Sequence, residues 1–552
     1  MYAYFRLKTG LAALTAGLVL LTLPGIGLAA GPKIDRETEL LKAQLAAQQA
    51  QIDELRRMLD DQRKLIESAI GTRIGAPPAP VDVQVTPASA GMRMPVATTV
   101  PGGAAPRRDA ARPSGPLNVR LGSVDFTPSG YMEFAAVVRD RNVGSGVATN
   151  YGSIPFDDTV NGNLREYRLS AQTSRLGLRM DSVVAGATVR GYLETDFLGI
   201  VPGNVAVTSN SDTLRLRLFW ADVRKNRLEF LAGQSFTMLT PNRKGLSALP
   251  SDLFLPQVVD PNLHVGMLWN RNPQVRFVYH ANASTAVGVS LEAAEQYGGG
   301  GAGSGTVTLP SELAPYYESQ MNTGSSAFAT PNPHQDFVAK IAVDPAFGDG
   351  ALHVEAGGVL AQFAFYNPLS GSSYRAAGGG GSFNVNLEVA KRFRVFANTF
   401  YSRGAGRYLV GLGPDVIIKG DGSPSPVGAS SVLAGVEYQA ARRTAVQGYW
   451  GTAHFDRNVA IDPATGSEVG FGYTGSPSNH NREITQGTVG VSHSFWRDPK
   501  LGSLMVMAQF SHLFREPWYA LAGAPGRADL NMFYLKIRYS LPGAPPEPGT
   551  QR

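Results

Sequence analysis

Cysteine is absent from the chain, which excludes disulfide frameworks, thiolate metal sites and cysteine nucleophiles. Histidine is scarce: the eight residues are scattered without HExxH or paired ligand spacing, so no zinc site is expected. Long apolar runs are lacking too, since the run at residues 11–23 offers about thirteen residues against the roughly twenty that a spanning helix needs. Charge of one sign is not abundant, and a formal excess of six positive charges over 552 residues argues against a nucleic-acid partner. There is no GxSxG elbow. Gly298, Gly300 and Gly303 satisfy GxGxxG only inside a low-complexity stretch with no helix to follow, so a phosphate cradle is not expected either. Neither an enzyme nor a bound cofactor is indicated.

What is present is ordered along the chain. Arg6 and Lys8 precede the apolar run, and Gly27 and Ala29 follow Pro24 with the spacing of a cleavage site, so residues 1–30 read as a secretory signal peptide. Residues 31–70 carry a heptad. Ile34, Leu41, Gln48, Leu55, Gln62 and Ala69 form one column, and Thr38, Leu45, Ile52, Leu59 and Ile66 the other. Asp53, Glu54, Arg56, Arg57, Asp60 and Asp61 flank the seam, which predicts an α-helical coiled coil that oligomerises the chain and leaves dimer against trimer open. Residues 71–116 hold nine prolines from Pro77 to Pro116 and are expected to be an extended linker.

From residue 117 to 541 the period changes from helical to two. Leu214, Leu216, Leu218 and Trp220 alternate with Arg215, Arg217, Phe219 and Ala221, and Phe533, Leu535, Ile537 and Tyr539 alternate with Met532, Tyr534, Lys536 and Arg538. About seventeen such segments are found, among them 166–180 and 265–269, whereas a bacterial single-chain barrel takes an even number. The expected fold is therefore an antiparallel all-β transmembrane barrel of about sixteen strands, with eighteen as the alternative, preceded by the coiled coil and followed by a flexible tail at 542–552. Connections alternate in length. Short joins at 181–186, 271–273, 390–393, 440–444 and 497–502 alternate with long ones at 140–163, 296–335, 403–429 and 456–483, as short periplasmic turns alternate with long external loops.

Three segments, SAQTSRLGL at 170–178, AGQSF at 232–236 and RNPQVR at 271–276, together with the order of signal, coiled coil, linker and barrel, resemble the DcaP-like trimeric outer-membrane porins. Known members take up dicarboxylates and related small acids. The resemblance implies a sixteen-stranded trimeric barrel in the outer membrane, a coiled coil in the periplasm, a loop folded into the lumen and an electropositive constriction. One departure from the family is that the chain runs past Leu541 into a Pro- and Gly-containing tail.

Alternation places Arg168, Arg190, Arg215, Arg217 and Arg276 inward, with Lys340, Arg394, Lys536 and Arg538, and a parity slip near Thr173 turns Arg175 and Arg179 inward as well. Inward acids are expected to be fewer: Glu166, Glu194, Asp196, Glu229 and Asp336. A cationic lumen concentrates anions, so small anionic solutes such as carboxylates are the expected cargo. The stretch 236–264, with Pro241, Pro250, Pro256 and Pro261, is too long for a turn and is a candidate to fold into the lumen, carrying Arg243, Lys244 and Asp252 to the constriction. Expected partners are copies of the chain in a trimer joined through coiled coil and barrel wall, outer-membrane lipid, and peptidoglycan if the coiled coil reaches it. A tether between outer membrane and cell wall is the alternative function, and an outer-membrane enzyme a weaker one.

Overall fold

The computed structural model describes residues 117–199, 213–324, 330–331, 334–390 and 392–542. The signal peptide, the coiled coil, the whole linker at 71–116, and all but the first residue of the tail at 542–552 lie outside the described residues.

Sixteen long strands close into one antiparallel barrel. The first eight are β1 (Val124–Arg139), β2 (Glu166–Ser170 and Arg175–Val184), β3 (Ala187–Asp196), β4 (Arg215–Lys225), β5 (Leu228–Phe236), β6 (Arg271–His280), β7 (Thr285–Glu292) and β8 (Asp336–Val343). The others are β9 (Gly350–Asn367), β10 (Ser372–Val389), β11 (Phe393–Arg403), β12 (Gly428–Ala441), β13 (Thr444–Phe455), β14 (Asn481–Asp498), β15 (Gly502–Pro517) and β16 (Ala528–Ser540). Each pairs with its sequence neighbours, and β16 pairs with β1 from Tyr131↔Ser540 to Arg139↔Met532, which closes the sheet and leaves no edge.

Alternation assigns the two faces. Phe134, Phe219, Phe230, Phe277, Ile341, Leu360, Phe383, Phe510, Phe533, Leu535 and Ile537 stand exposed around the outside. Their inward neighbours include Glu133, Arg276, Lys340, Glu355, Gln509 and Lys536, all buried. An apolar belt outside a polar interior is stable in lipid, where a closed ladder satisfies every backbone group of the wall. The connections sort by end. Tight turns such as 185–186, 226–227 and 442–443 lie at one end, and the long connections 140–165, 237–270, 404–427 and 456–480 at the other.

Three sequence expectations change. Residues 265–269 are not a strand but part of the connection between β5 and β6, which accounts for the seventeenth segment. The stretch 271–273 is not a tight turn either; it opens β6, and the turn that follows lies at 281–284. In β4 a register shift opposite Glu194 and Thr195 puts Arg217 and Leu218 both inside, so Leu218 and Trp220 are buried while Leu216 and Phe219 face outward. The inserted residue reverses parity, which simple alternation cannot show. The slip near Thr173 is found as expected: β2 breaks between Ser170 and Arg175.

Gly130 shows how closely β1 and β2 approach. Its φ is +131°, and a Cβ there would lie 2.3 Å from the Arg175 carbonyl oxygen. Gly130→Val is therefore expected to cost at least about 1–3 kcal/mol. The check is the fraction of protein that runs as the compact band on an unheated gel, and wild-type yield of that band would refute the argument.

Candidate functional site: the pore constriction

The connection 237–270, here called the constriction loop, is held inside the barrel by side chains of the wall. Arg276 of β6 donates to the Phe236 carbonyl at 2.9 Å, and Glu292 of β7 accepts the Met238 N–H at 2.9 Å. Further round, Tyr449 Oη accepts the Gln257 N–H at 3.0 Å, Gln509 Oε1 the Val259 N–H at 2.7 Å and Gln486 Oε1 the Val265 N–H at 3.0 Å. The loop thus crosses to β13, β14 and β15 and returns. Such anchoring satisfies backbone groups that have no ladder of their own. On its return the Trp269 backbone N–H donates to the Tyr408 carbonyl at 2.9 Å, so the connection 404–427 braces it from the long-loop end. There Arg407 bridges Asp336 and Asp415, and burial pushes Asp415 up to about 6 despite the guanidinium beside it.

Across the lumen from Pro250, Leu255, Pro256, Val258 and Leu263 of the loop lie Tyr131, Arg175, Tyr192, Glu194, Lys536 and Arg538 of the wall, lining one cavity with it. The wall side is built from β1 to β4 and β16, and Arg271, where the loop rejoins the wall at β6, stands beside it. Arg217 bonds Glu194 at 2.6 Å and Asp196 at 2.8 Å, and Arg215 bonds Asp196 at 2.8 Å. Arg175 lies 3.7 Å from Glu194 and stacks over Tyr131 at 5.5 Å; Arg538 covers the same ring at 3.8 Å and pairs with Glu133, as does Lys536 at 3.4 Å. Arg271 stacks on Trp269 at 5.4 Å, with Arg217, Arg215, Asp196 and Arg175 among the charged groups around it. Arg175, Arg215, Arg217, Arg271, Lys536 and Arg538 thus face three carboxylates, Glu133, Glu194 and Asp196.

The predicted residues divide accordingly. Arg175 lines the cavity, and Arg217 and Arg215 join it through Glu194 and Asp196. Arg179 and Arg190 point inward nearer the tight-turn end and share Asp181 at 2.6 and 2.9 Å. Arg168 pairs with Glu166 at 3.1 Å near the long-loop end, and Arg276 is buried on the far wall as an anchor of the loop. In the loop, Arg243 pairs with Glu437 at 3.3 Å and covers Phe254, Lys244 is exposed, and Asp252 uses its backbone carbonyl to accept the Arg243 N–H at 2.7 Å. Inward acids are more numerous than expected. Glu133, Asp181, Asp222, Glu292, Glu355 and Glu437 all join the lumen side. Glu133 was readable, since it shares parity with Ala135, Val137 and Arg139 in a clear segment.

A closed sixteen-stranded barrel with an apolar belt, a polar interior and an inward-folded loop defines the class of outer-membrane-type β-barrels. Among solved structures the chain is similar in fold to the outer membrane channel DcaP of Acinetobacter baumannii, with 18% identity, a TM-score of 0.54, and coverage of 76% of this chain and 99% of that one. It is also similar, more distantly, to an anion-selective porin from Comamonas acidovorans (12% identity, TM-score 0.42, 76% and 100% covered) and to OmpT, an outer membrane protein of Vibrio cholerae (13%, 0.40, 77% and 99%). No protein-family model matches the chain, and no curated protein matches it.

Proposed function

We propose that the chain is an outer-membrane porin that lets small hydrophilic solutes diffuse passively and favours anions, small carboxylates among them. The observation that carries this reading is the charge cluster formed by the wall opposite the constriction loop and by Arg271 where the loop rejoins the barrel, in which six cations face three carboxylates. Inside a channel with low-dielectric walls such an excess is felt more strongly than on an open surface and raises the local concentration of anions. The heptads at 31–70 supply a periplasmic element that oligomerises the chain, and a trimer joined through coil and barrel wall is the assembly proposed.

The test is single-channel recording from the purified protein in planar bilayers under a salt gradient. Conductance steps grouped in threes with a reversal potential on the anion side are expected. A folded, heat-modifiable barrel that conducts nothing would overturn the channel reading, and a reversal on the cation side would overturn the selectivity.

A further inference from the structure

The near arm of the constriction loop, residues 240–247, carries Arg243 and Lys244 and rests on two carboxylates. Asp344, in the turn after β8, accepts the Gly245 N–H at 3.0 Å through Oδ2. Glu355 of β9 accepts the Asn242 N–H at 3.3 Å through Oε1. The other oxygen of each carboxylate faces one side chain, His353 of β9, with Nδ1 2.8 Å from Asp344 Oδ1 and Nε2 3.1 Å from Glu355 Oε2. Ionised carboxylates only accept, so both ring nitrogens must donate, and a neutral imidazole has a single N–H.

We propose that His353 is a proton-dependent positioning residue for this arm: protonated, it bridges the two carboxylates that hold the loop, and on losing its proton it releases one of them. The inference rests on the pore reading above. The surroundings decide which carboxylate lets go. Lys340 of β8 binds Glu355 at 2.7 Å and holds the arm directly through the Thr240 carbonyl at 2.8 Å and Asn242 Oδ1 at 3.2 Å. Asn384 of β10 donates to Glu355 at 2.8 Å, and Asn386, opposite His353 on the same strand, is neutral. The arm's Arg243 is taken by Glu437 of β12, and Glu292 and Arg276 are further charged groups that act on Lys340.

Around His353, then, two cations balance two anions. Deprotonation leaves one negative charge uncompensated where the His353 side chain is 2% exposed and that of Glu355 0%. Glu355 keeps Lys340, Asn384 and Asn242. Asp344 loses its cation, and at 19% exposure it is the one that can turn to water. Gly245, in the left-handed region at φ +56°, then loses its anchor, and Lys244 beside it shifts within the pore.

The test uses the full chain, which contains no cysteine, so that Lys244→Cys introduces a single thiol. Its rate of reaction with a charged methanethiosulfonate reagent is measured from acid to alkaline pH in the otherwise wild-type protein and with His353→Gln, whose amide mimics the neutral ring and does not titrate. The ratio of the two rates cancels the thiol's own titration. A one-proton transition in that ratio is expected, reaching unity at high pH, and the same transition in single-channel conductance that His353→Gln abolishes. A ratio constant with pH would overturn the proposal. Should His353→Gln fail to assemble, Asp344→Asn is measured against wild type: with one of the two anions gone the transition moves to lower pH, and an unmoved midpoint is the contrary result. Absence of conductance in every variant would defeat the pore reading, while labelling would still report whether the arm follows the proton.

Discussion

Replacing Arg175, Arg271 and Arg538 together by glutamine is expected to abolish the anion preference and bring the reversal potential in a potassium chloride gradient close to zero. The choice follows from the pairing. Glu194 keeps Arg217, Asp196 keeps Arg215 and Arg217, and Glu133 keeps Lys536, so no carboxylate is left without a cation while the wall goes from an excess of three positive charges to none. At separations near 8 Å and an effective dielectric constant near 20, less screening over about one Debye length, each charge changes the local potential by about 1 kcal/mol, a roughly fivefold change in anion concentration. Arg168→Gln serves as the control, since Arg168 is half exposed and paired with Glu166 away from the cavity. Anion preference that survives the triple change would place the selectivity elsewhere in the barrel.

The class of fold was legible because lipid imposes a strict rule on the wall. Apolar residues at every second position of β16 and alternating short and long connections are direct consequences of that rule, and both survive in the structure. Register was less legible. In β4 one extra residue opposite Glu194 turns Leu218 and Trp220 inward, and no local pattern announces it because leucine and tryptophan suit either face. The Gly378–Gly381 run interrupts the apolar signal inside β10, so alternation does not reveal the upper half of that strand, although a glycine there is required: a Cβ on Gly378 would lie 2.5 Å from the Arg403 carbonyl oxygen.

For the site, alternation found which arginines point inward but not which meet. Arg175, Arg215 and Arg217 converge because β2 and β4 both flank β3, whereas Arg276, equally inward by parity, lies behind the constriction loop and serves it as an anchor. The carboxylates that balance them were undercounted. Asp181 falls in the short join expected at 181–186, and Glu437 lies near the tight-turn end of β12. Long-range partners such as Arg243 and Glu437, 194 residues apart, arise from the path of the loop and have no local signature.

Glu355→Ala is expected to give the largest loss of stability, and Lys340→Met a smaller one. The carboxylate of Glu355 accepts from Lys340, Asn242, Asn384 and His353 and is fully enclosed. Its removal leaves a buried ammonium with only the Thr240 carbonyl and Asn242 Oδ1, and breaking a buried pair in this way costs about 3–5 kcal/mol. Removing Lys340 instead leaves Glu355 with three donors, one of them His353. Adding Lys340→Met to Glu355→Ala therefore restores part of the loss, because the uncompensated ammonium is gone and what remains unmatched are the Asn242 and Asn384 donors and one N–H of His353, whose charge Asp344 still balances. Heat-denatured barrels report a rate more than an equilibrium, so the comparison is the temperature at which each variant loses its compact gel band under one fixed heating protocol. If the double variant is less stable than Glu355→Ala alone, the ammonium is not the source of the cost, and the carboxylate matters chiefly through the loop backbone it holds.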